Sequence, residues 1–340
     1  MNIEYYIGLD IHAKTTSICI LNAHGKMVKE ETIKGPWSHL FKRLDQIKKP
    51  FAICYEASNG YGYLYDHFSK RSACVTVAHP GQLRLIFRSK RKSDRIDARK
   101  LAKLLFLDEV PPVYVPSVSV RDWRGLVTTR QKIVGHCTRC KSQIRALLRS
   151  HGIEAAKGLW AKKGIAFLKG VIWPSEESSF RCQLLLDEMD YHKHHLKKLE
   201  SWLNRIGKEH PAVILLMSIP GVGIRTAEAM VAWIDQPQRF NKRGALAAYF
   251  GLVPCQDSSA GKHRYGHITK QGPAVVRQLL TQATWQAIYR CPQIKTHWLR
   301  IQKGDPNRRK IALVATSHHL LKVMGAMLKN QTKWQAKQAA

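Results

Sequence analysis

Four carboxylates in this strongly basic chain stand where their chemistry could matter. Asp10 and Glu56 each end a short apolar segment that predicts a β-strand, and Asp94 and Asp97 open a predicted helix. Carboxylate oxygens are the ligands that hard divalent cations prefer. A cation held in this way can polarise a phosphate and stabilise the attacking and leaving oxygens during cleavage. The four acids therefore predict a metal site that acts on a polyanion.

The charge balance indicates which polyanion this is. The 340 residues include 56 Lys and Arg against 24 Asp and Glu, a formal net charge of +32 that is spread along the chain. Such a surplus predicts nucleic-acid binding with a steep dependence on salt, and a membrane surface is the weaker alternative. With 44% hydrophobic residues, the chain is expected to fold and to have room for two domains.

The termini and cysteines indicate the compartment. Residues 1–10 lead into a predicted strand without the apolar core of a signal peptide, and the apolar run 213–219 is too short to cross a membrane. We therefore expect a cytoplasmic protein with no membrane partner. Eight scattered cysteines are typical of reduced thiols, and the single pair Cys137 and Cys140 does not predict a zinc site.

The first part of the chain predicts an α/β domain. Strands are expected at 4–10, 15–22, 27–33, 51–56 and 73–78, with helices at 37–48, 61–69 and 81–87. An antiparallel meander followed by alternating strands and helices predicts a mixed sheet with flanking helices. This order, with one acid ending the first strand and another ending the fourth, resembles the RNase H-like nucleases and resolvases of the RuvC type.

Asp94 and Asp97 fall in a predicted helix at 93–107, with Ser93 or Asp94 as its N-cap. Their spacing places the two Cβ atoms on one face, about 5–6 Å apart, close enough to serve one metal site. Acids in a first helical turn also commonly cap backbone amides and offset the helix dipole. The pair alone leaves both interpretations open.

The second part of the chain is predicted to be mainly helical. Residues 118–150 form a long basic helix, and 176–206 form an amphipathic helix suited to coiled-coil or hairpin contacts. Residues 213–234 resemble a helix-hairpin-helix turning at 220–223. Gly221, Gly223 and Arg225 are expected to contact a DNA phosphate there. The turn lacks the full glycine and lysine pattern of nucleotide-binding loops.

Two serines lie in a polar segment, residues 255–272, which we expect to be a loop before a helix that begins near Pro273. Cationic and imidazole side chains follow the serines: Lys262, His263, Arg264, His267 and Lys270. Such surroundings could hold a scissile phosphate for attack by Ser258 or Ser259. An ordinary surface loop is the alternative.

The whole chain resembles the DEDD-type insertion-sequence transposases, relatives of Piv-type DNA invertases that include bridge-RNA-guided recombinases. The matching segments are IGLD, CYEASNGYG, KSDRIDARKLA, IPGVG and FGLVPCQDSSAGKHRYGHITKQG. The resemblance implies three domains: a RuvC-like catalytic domain at 1–150, a helical coiled-coil linker at 151–208 and a transposase domain at 209–340.

The resemblance further implies a mechanism and partners. Asp10, Glu56, Asp94 and Asp97 would hold Mg²⁺, as two ions per site, and Ser259 would be the nucleophile, with Lys262 and Arg264 neutralising charge. Many members have Ser-Gly where this chain has Ser259-Ala260, so Ser258 stays the alternative. The partners implied are the DNA of element ends and target, a guide RNA, and further copies of the chain in a dimer or tetramer.

Three other functions remain open from the residues. A Piv-type site-specific invertase would use the same groups without RNA guidance. A metal-only nuclease or junction resolvase would use water in place of serine. A non-catalytic nucleic-acid-binding protein would need only the hairpin and the basic helix.

Overall fold

The computed structural model describes residues 3–86, 93–242, 244–259 and 262–335. At 257–259, 262–263 and 265 it describes the backbone alone. The chain divides into two compact units, Met1–Val118 and Ser119–Ala340. The domain boundaries expected at 150 and 208 rest on sequence segments and stay predictions.

The first unit is built on one mixed sheet of five strands in the order β3-β2-β1-β4-β5. Its strands are β1 (Tyr5–Ile11), β2 (Thr15–Asn22), β3 (Met27–Lys34), β4 (Phe51–Glu56) and β5 (Cys74–Ala78). The first three form an antiparallel meander, and β1, β4 and β5 run parallel. The predicted mixed sheet is confirmed, and its order is that of an RNase H-like domain.

Helices cover both faces of this sheet. They are α1 (Trp37–Asp45), α2 (Tyr61–Phe68), α3 (Pro80–Ile86) and α4 (Asp94–Phe106). On one face, Ile53 and Tyr55 of β4 pack with Leu40 and Leu64 of α1 and α2. On the other, Ala52 and Cys54 pack with apolar residues of α4. Because successive side chains of a strand point to opposite faces, a strand covered on both sides is buried along its length, as β4 is up to its last residue, Glu56.

Two long antiparallel helices begin the second unit. They are α5 (Val118–Ser150) and α7 (Glu176–Gly207), with the short α6 (Lys162–Gly170) between them. Arg130 Nη2 lies 2.7 Å from Glu200 Oε1, and the rings of His136 and His192 lie 4.8 Å apart. The amphipathic helix α7 therefore packs, at least in part, against α5 of the same chain.

The remainder of the second unit packs around one apolar core. Its elements are α8 (Pro211–Met217), α9 (Ile224–Ile234), α10 (Ala245–Tyr249), β6 (Pro254–Ser259), β7 (Lys262–Ile268), α11 (Ala274–Arg290), α12 (Pro292–Gln302) and α13 (Arg309–Asn330). The helix-hairpin-helix of α8 and α9 is present as predicted.

The prediction that the serine segment is a loop is wrong. Residues 254–259 and 262–268 form an antiparallel two-stranded sheet that pairs Pro254 with Ile268 and Ser259 with Lys262. Its polar composition resembles that of a loop, but strands are held by backbone hydrogen bonds between neighbours, which composition does not report.

One stretch, Pro306–Asn330, is long and apolar enough to cross a membrane by length and composition. Half of its most apolar window is buried inside the protein, as in the core helix of a soluble domain. Its inward residues, including Leu320, Leu321 and Met324, belong to the core of the second unit.

Candidate functional site

Asp10 and Glu56 lie side by side because β1 and β4 are parallel neighbours. The register pairs Leu9 with Tyr55, and the next residue on each strand is the carboxylate. Leu9 and Tyr55 are fully buried, so they anchor the strand ends from which the acids project. The structure therefore places these two acids at the same edge of the sheet.

Helix α4 brings the other two acids to this edge. Ser93 caps the helix, its Oγ accepting a bond from the Ile96 amide (3.4 Å), which sets Asp94 and Asp97 in the first turn. The helix approaches β1 closely because residue 8 is glycine. A Cβ at Gly8 would overlap the carbonyl oxygen of Ala98 and the amide nitrogen of Ala102. Small residues on strand and helix thus position the acids.

His12 joins this group, and sequence reasoning missed it. Its Nε2 lies 3.4 Å from Asp10 Oδ2 and 3.7 Å from Asp94 Oδ1. Within the described residues, Asp10, His12 and Asp94 offer ligand atoms that all lie within 4.8 Å of one another. The signal available was the two-residue spacing from Asp10, which places side chains on the same side of an extended chain.

The pKa of Asp10 depends on its burial and on the charged groups around it. Burial raises the pKa of Asp10 above its ordinary value, His12 opposes the rise, and the charges of Asp94, Asp97 and Glu56 add to it. Each of these acids is therefore close enough to disfavour ionisation of Asp10. The local excess of negative charge is what a divalent cation would offset.

The basic residues of α4 are only partly directed at these acids. Arg99 forms a two-bond ion pair with Glu30 of β3, and Arg95 Nε lies 3.4 Å from Thr32 Oγ1. Lys100 Nζ contacts Asp97 Oδ1 at 3.3 Å. Arg95 and Arg99 thus bind the helix to the sheet, whereas Lys100 contacts one of the acids.

The glycines of the hairpin between α8 and α9 differ in their surroundings. Gly221 has a left-handed φ of 95°, and a Cβ there would overlap the backbone of Ala287 on α11. Its requirement for glycine is therefore explained by packing and backbone conformation. Gly223 is exposed at the N-cap of α9, and a Cβ there would meet no atom within 4 Å.

Arg225 takes part in a buried ion pair. Its Nη1 donates to both carboxylate oxygens of Glu228 (2.9 and 2.8 Å), and its Nη2 donates to Asn204 Oδ1. Glu228 is fully buried; burial raises its pKa and Arg225 opposes the rise. The phosphate contact predicted for Arg225 would have to compete with these bonds.

Comparison with known families matches both units. Residues 7–153 match the family model described as "Transposase", of the DEDD type found in IS110 elements. Residues 214–299 match the model described as "Transposase IS116/IS110/IS902 family". The first match contains Asp10, Glu56, Asp94 and Asp97. The second contains the turn between α8 and α9 and the serine segment.

The chain belongs to the IS110 family of DEDD transposases.

Curated relatives resemble this transposase over nearly its whole length. The transposase for insertion sequence element IS1111A of Coxiella burnetii is 26% identical over 90% of this chain and 85% of its own. A probable family 20 transposase of Pseudomonas aeruginosa is 23% identical over 96% of this chain and 97% of its own. The transposase for IS1328 of Yersinia enterocolitica is 24% identical, covering 88% and 86%. The protein is thus a DNA transposase of an insertion sequence.

The serine segment of the transposase lies on the hairpin of β6 and β7. The register pairs Ser259 with Lys262 and Ser258 with His263 across the two strands. The side chains of Ser258, Ser259 and Lys262 lie outside the described residues, so the choice between the serines stays a prediction. Arg264 is exposed on β7, and Lys270 is exposed in a left-handed turn with φ of 54° just before α11.

Proposed function

We propose that this transposase cuts and rejoins DNA at the ends of its insertion sequence by metal-assisted attack of Ser259. Asp10, Glu56, Asp94 and Asp97 hold Mg²⁺, as two ions per site. An RNA encoded by the element directs the reaction to donor and target DNA in the cytoplasm, at the nucleoid. The protein acts as a homo-oligomer, a dimer or tetramer. The observation that carries the proposal is the contact of His12 with both Asp10 and Asp94, which brings a strand acid and a helix acid together. Glu56 ends the strand beside Asp10, and Asp97 lies in the first helical turn with Asp94.

The donors present fit the proposed metal. Four carboxylates form an all-oxygen set of the kind that Mg²⁺ prefers. The His12 imidazole nitrogen is a softer donor that suits later divalent metals better. Its contacts with Asp10 and Asp94 suit it to orient these two carboxylates. When bound, Mg²⁺ would supply polarisation of the scissile phosphate and stabilisation of the attacking and leaving oxygens.

The chemical step assigned to the serine is a phosphoryl transfer. The Ser259 Oγ forms a bond to phosphorus, the phosphorus–oxygen bond to the leaving strand end breaks, and the hydroxyl proton passes to water. Attack on the phosphoserine by a hydroxyl of another strand restores a phosphodiester, so the bond energy is conserved and ATP is not needed. Lys262 and Arg264 neutralise charge that develops at the phosphate.

The nucleic-acid contacts proposed outside this step fix the DNA backbone. The exposed N-cap at Gly223, close to Gly221, offers backbone amides to a phosphate, and Lys270 offers a cation. These contacts position DNA without reading its sequence. Recognition of the sites is assigned to base pairing with the RNA.

The serine is tested by Ser259→Ala, with Ser258→Ala as the matched variant. We expect Ser259→Ala to lower recombination between donor and target plasmids by about 10³-fold or more, and Ser258→Ala to retain activity. A nicked DNA substrate that traps intermediates should give a covalent protein–DNA adduct with Ser258→Ala and none with Ser259→Ala. Recombination by Ser259→Ala at the parental rate would exclude Ser259 as the nucleophile. Parental rates for both Ser259→Ala and Ser258→Ala would exclude the serine mechanism and favour attack by water.

The RNA and the metal have separate tests. Purification from cells that carry the flanking DNA, followed by sequencing of bound RNA, should yield one discrete species from the element. Its absence would favour an invertase-like reaction without a guide.

Full recombination by Asp10→Ala in Mg²⁺ would contradict the metal site.

A further inference from the structure

An aromatic cluster lies on the α11–α13 region of the second unit. The Trp285 ring lies 6.2 Å from that of Trp298 and 6.5 Å from that of Tyr289, measured between ring centroids. The guanidinium carbon of Arg309 lies 5.0 Å from the Trp285 ring centroid. Trp285 is partly buried against the core, so the cluster is anchored to the fold.

Tyr289 is the exposed member of this cluster. Its ring is inclined by only 27° to that of Trp285, yet the residue is 73% exposed. Tyr289 is therefore ordered by its neighbour while most of its surface faces solvent. An aromatic ring left in water contributes little to folding, but it offers a flat surface to a ligand.

The part of the chain that carries Tyr289 is cationic in sequence. From residue 258 to the C-terminus the sequence contains fifteen Lys or Arg and one acid, Asp305. That acid is used in a cap, where its Oδ1 accepts a bond from the Asn307 amide at 2.8 Å. Arg290 is exposed beside Tyr289, and Arg309 and Lys310 occupy the first turn of α13, where the helix dipole disfavours positive charge. Lys310 is thus poorly explained by the stability of the fold, whereas Arg290 ends α11, where the dipole favours a cation, and Arg309 also packs on Trp285.

We infer that this surface binds an unpaired stretch of DNA, with a base stacked on Tyr289 and flanking phosphates held by Arg290, Arg309 and Lys310. Every base has a flat π-face, so such stacking is tolerant of sequence, and the cations suit the backbone. A duplex offers no free base face, because its bases are already stacked on one another. A protein partner would need a strongly acidic surface to match these cations.

The inference concerns binding and does not depend on the serine or the metal. A transposase must handle unpaired strands whenever it exchanges DNA strands, which makes single-stranded DNA the occupant. The two proposals can fail separately, because affinity is measured here without any strand transfer.

The test compares the affinity of the full chain for a short oligothymidylate and for a duplex of mixed sequence at one salt concentration. We expect Tyr289→Ala to weaken single-strand binding by about 5- to 150-fold, the range found when a stacking aromatic is removed. Duplex affinity should change little. Tyr289→Phe should retain parental affinity, because it keeps the ring. Arg309→Ala should weaken binding and reduce its salt dependence.

Tyr191→Ala is the matched control, since Tyr191 is similarly exposed, on α7. A 2-aminopurine in the oligonucleotide should lose fluorescence on binding to the parental protein and less on binding to Tyr289→Ala. Unchanged single-strand affinity in Tyr289→Ala, or an equal loss for single strand and duplex, would overturn the inference. The same measurement is made with a ribo-oligonucleotide. If Tyr289→Ala loses affinity only for that RNA, the assignment to DNA is overturned.

Discussion

Asp10 shows how a single functional residue can oppose the stability of the fold that carries it. Its pKa is raised by burial first and by neighbouring carboxylates next, with His12 acting in the opposite direction. The folded protein therefore holds the Asp10 proton more tightly than the unfolded chain does. The free energy of unfolding falls as pH rises through the range between the ordinary and the raised pKa. At neutral pH the ionised carboxylate is destabilising unless a cation offsets it.

Asp10→Asn should raise the melting temperature of the metal-free protein at pH 7 and abolish transposition, because it removes this unfavourable charge and a metal ligand together. Adding Mg²⁺ should raise the melting temperature of the parental protein and have less effect on the variant. Asp190→Asn, which changes an exposed carboxylate on α7, is the control. A lower melting temperature for metal-free Asp10→Asn than for the parental protein would contradict this account. Differential scanning calorimetry with and without Mg²⁺ measures the melting temperatures of the parental protein and both variants.

The contact between β1 and α4 decides where the acids lie. Gly8, Ala98 and Ala102 are small, and they let the backbones of strand and helix approach. The ion pair of Arg99 with Glu30 then holds the helix against β3. The proposed site can take two acids from strands and two from a helix only because this contact is close.

Gly8→Ala should destabilise the protein by about 1–3 kcal/mol, because its Cβ would overlap the backbone of α4 and force the helix to shift. The response to Mg²⁺ should weaken in parallel. Gly135→Ala is the control, since a Cβ at that position on α5 meets no atom within 4 Å. It should stabilise α5 by about 0.5–1 kcal/mol. Urea midpoints measure both, and a parental midpoint for Gly8→Ala would contradict the packing argument.

The charge of the whole molecule governs how it finds and holds DNA. With 56 Lys and Arg against 24 Asp and Glu, one-to-one pairing of every acid would still leave a surplus of 32 cations. Surplus cations release counterions from the DNA backbone, which makes affinity strongly dependent on salt. This contribution is independent of sequence, so specificity must come from other contacts.

DNA affinity should fall by about 10³- to 10⁵-fold between 50 and 200 mM salt if the protein makes about 6–10 phosphate contacts. Fluorescence anisotropy with duplexes of unrelated sequence should give similar slopes of log K against log salt. An affinity that is insensitive to salt would show that the surplus charge serves another purpose.

The sequence by itself determined the order of helices and strands in the first unit, the positions of the four candidate acids and the cationic character of the chain. These follow from local periodicity, capping residues and composition, which act within a few residues of the chain. The helix-hairpin-helix was predicted for the same reason.

Only the tertiary structure decided which of these residues meet. It placed His12 beside Asp10 and Asp94, engaged Arg225 with buried Glu228, and paired the polar serine segment as strands. Each outcome depends on contacts between residues distant in sequence or on the burial that such contacts create. Composition and local spacing carry no direct record of those contacts, because burial and pairing are properties of the folded chain.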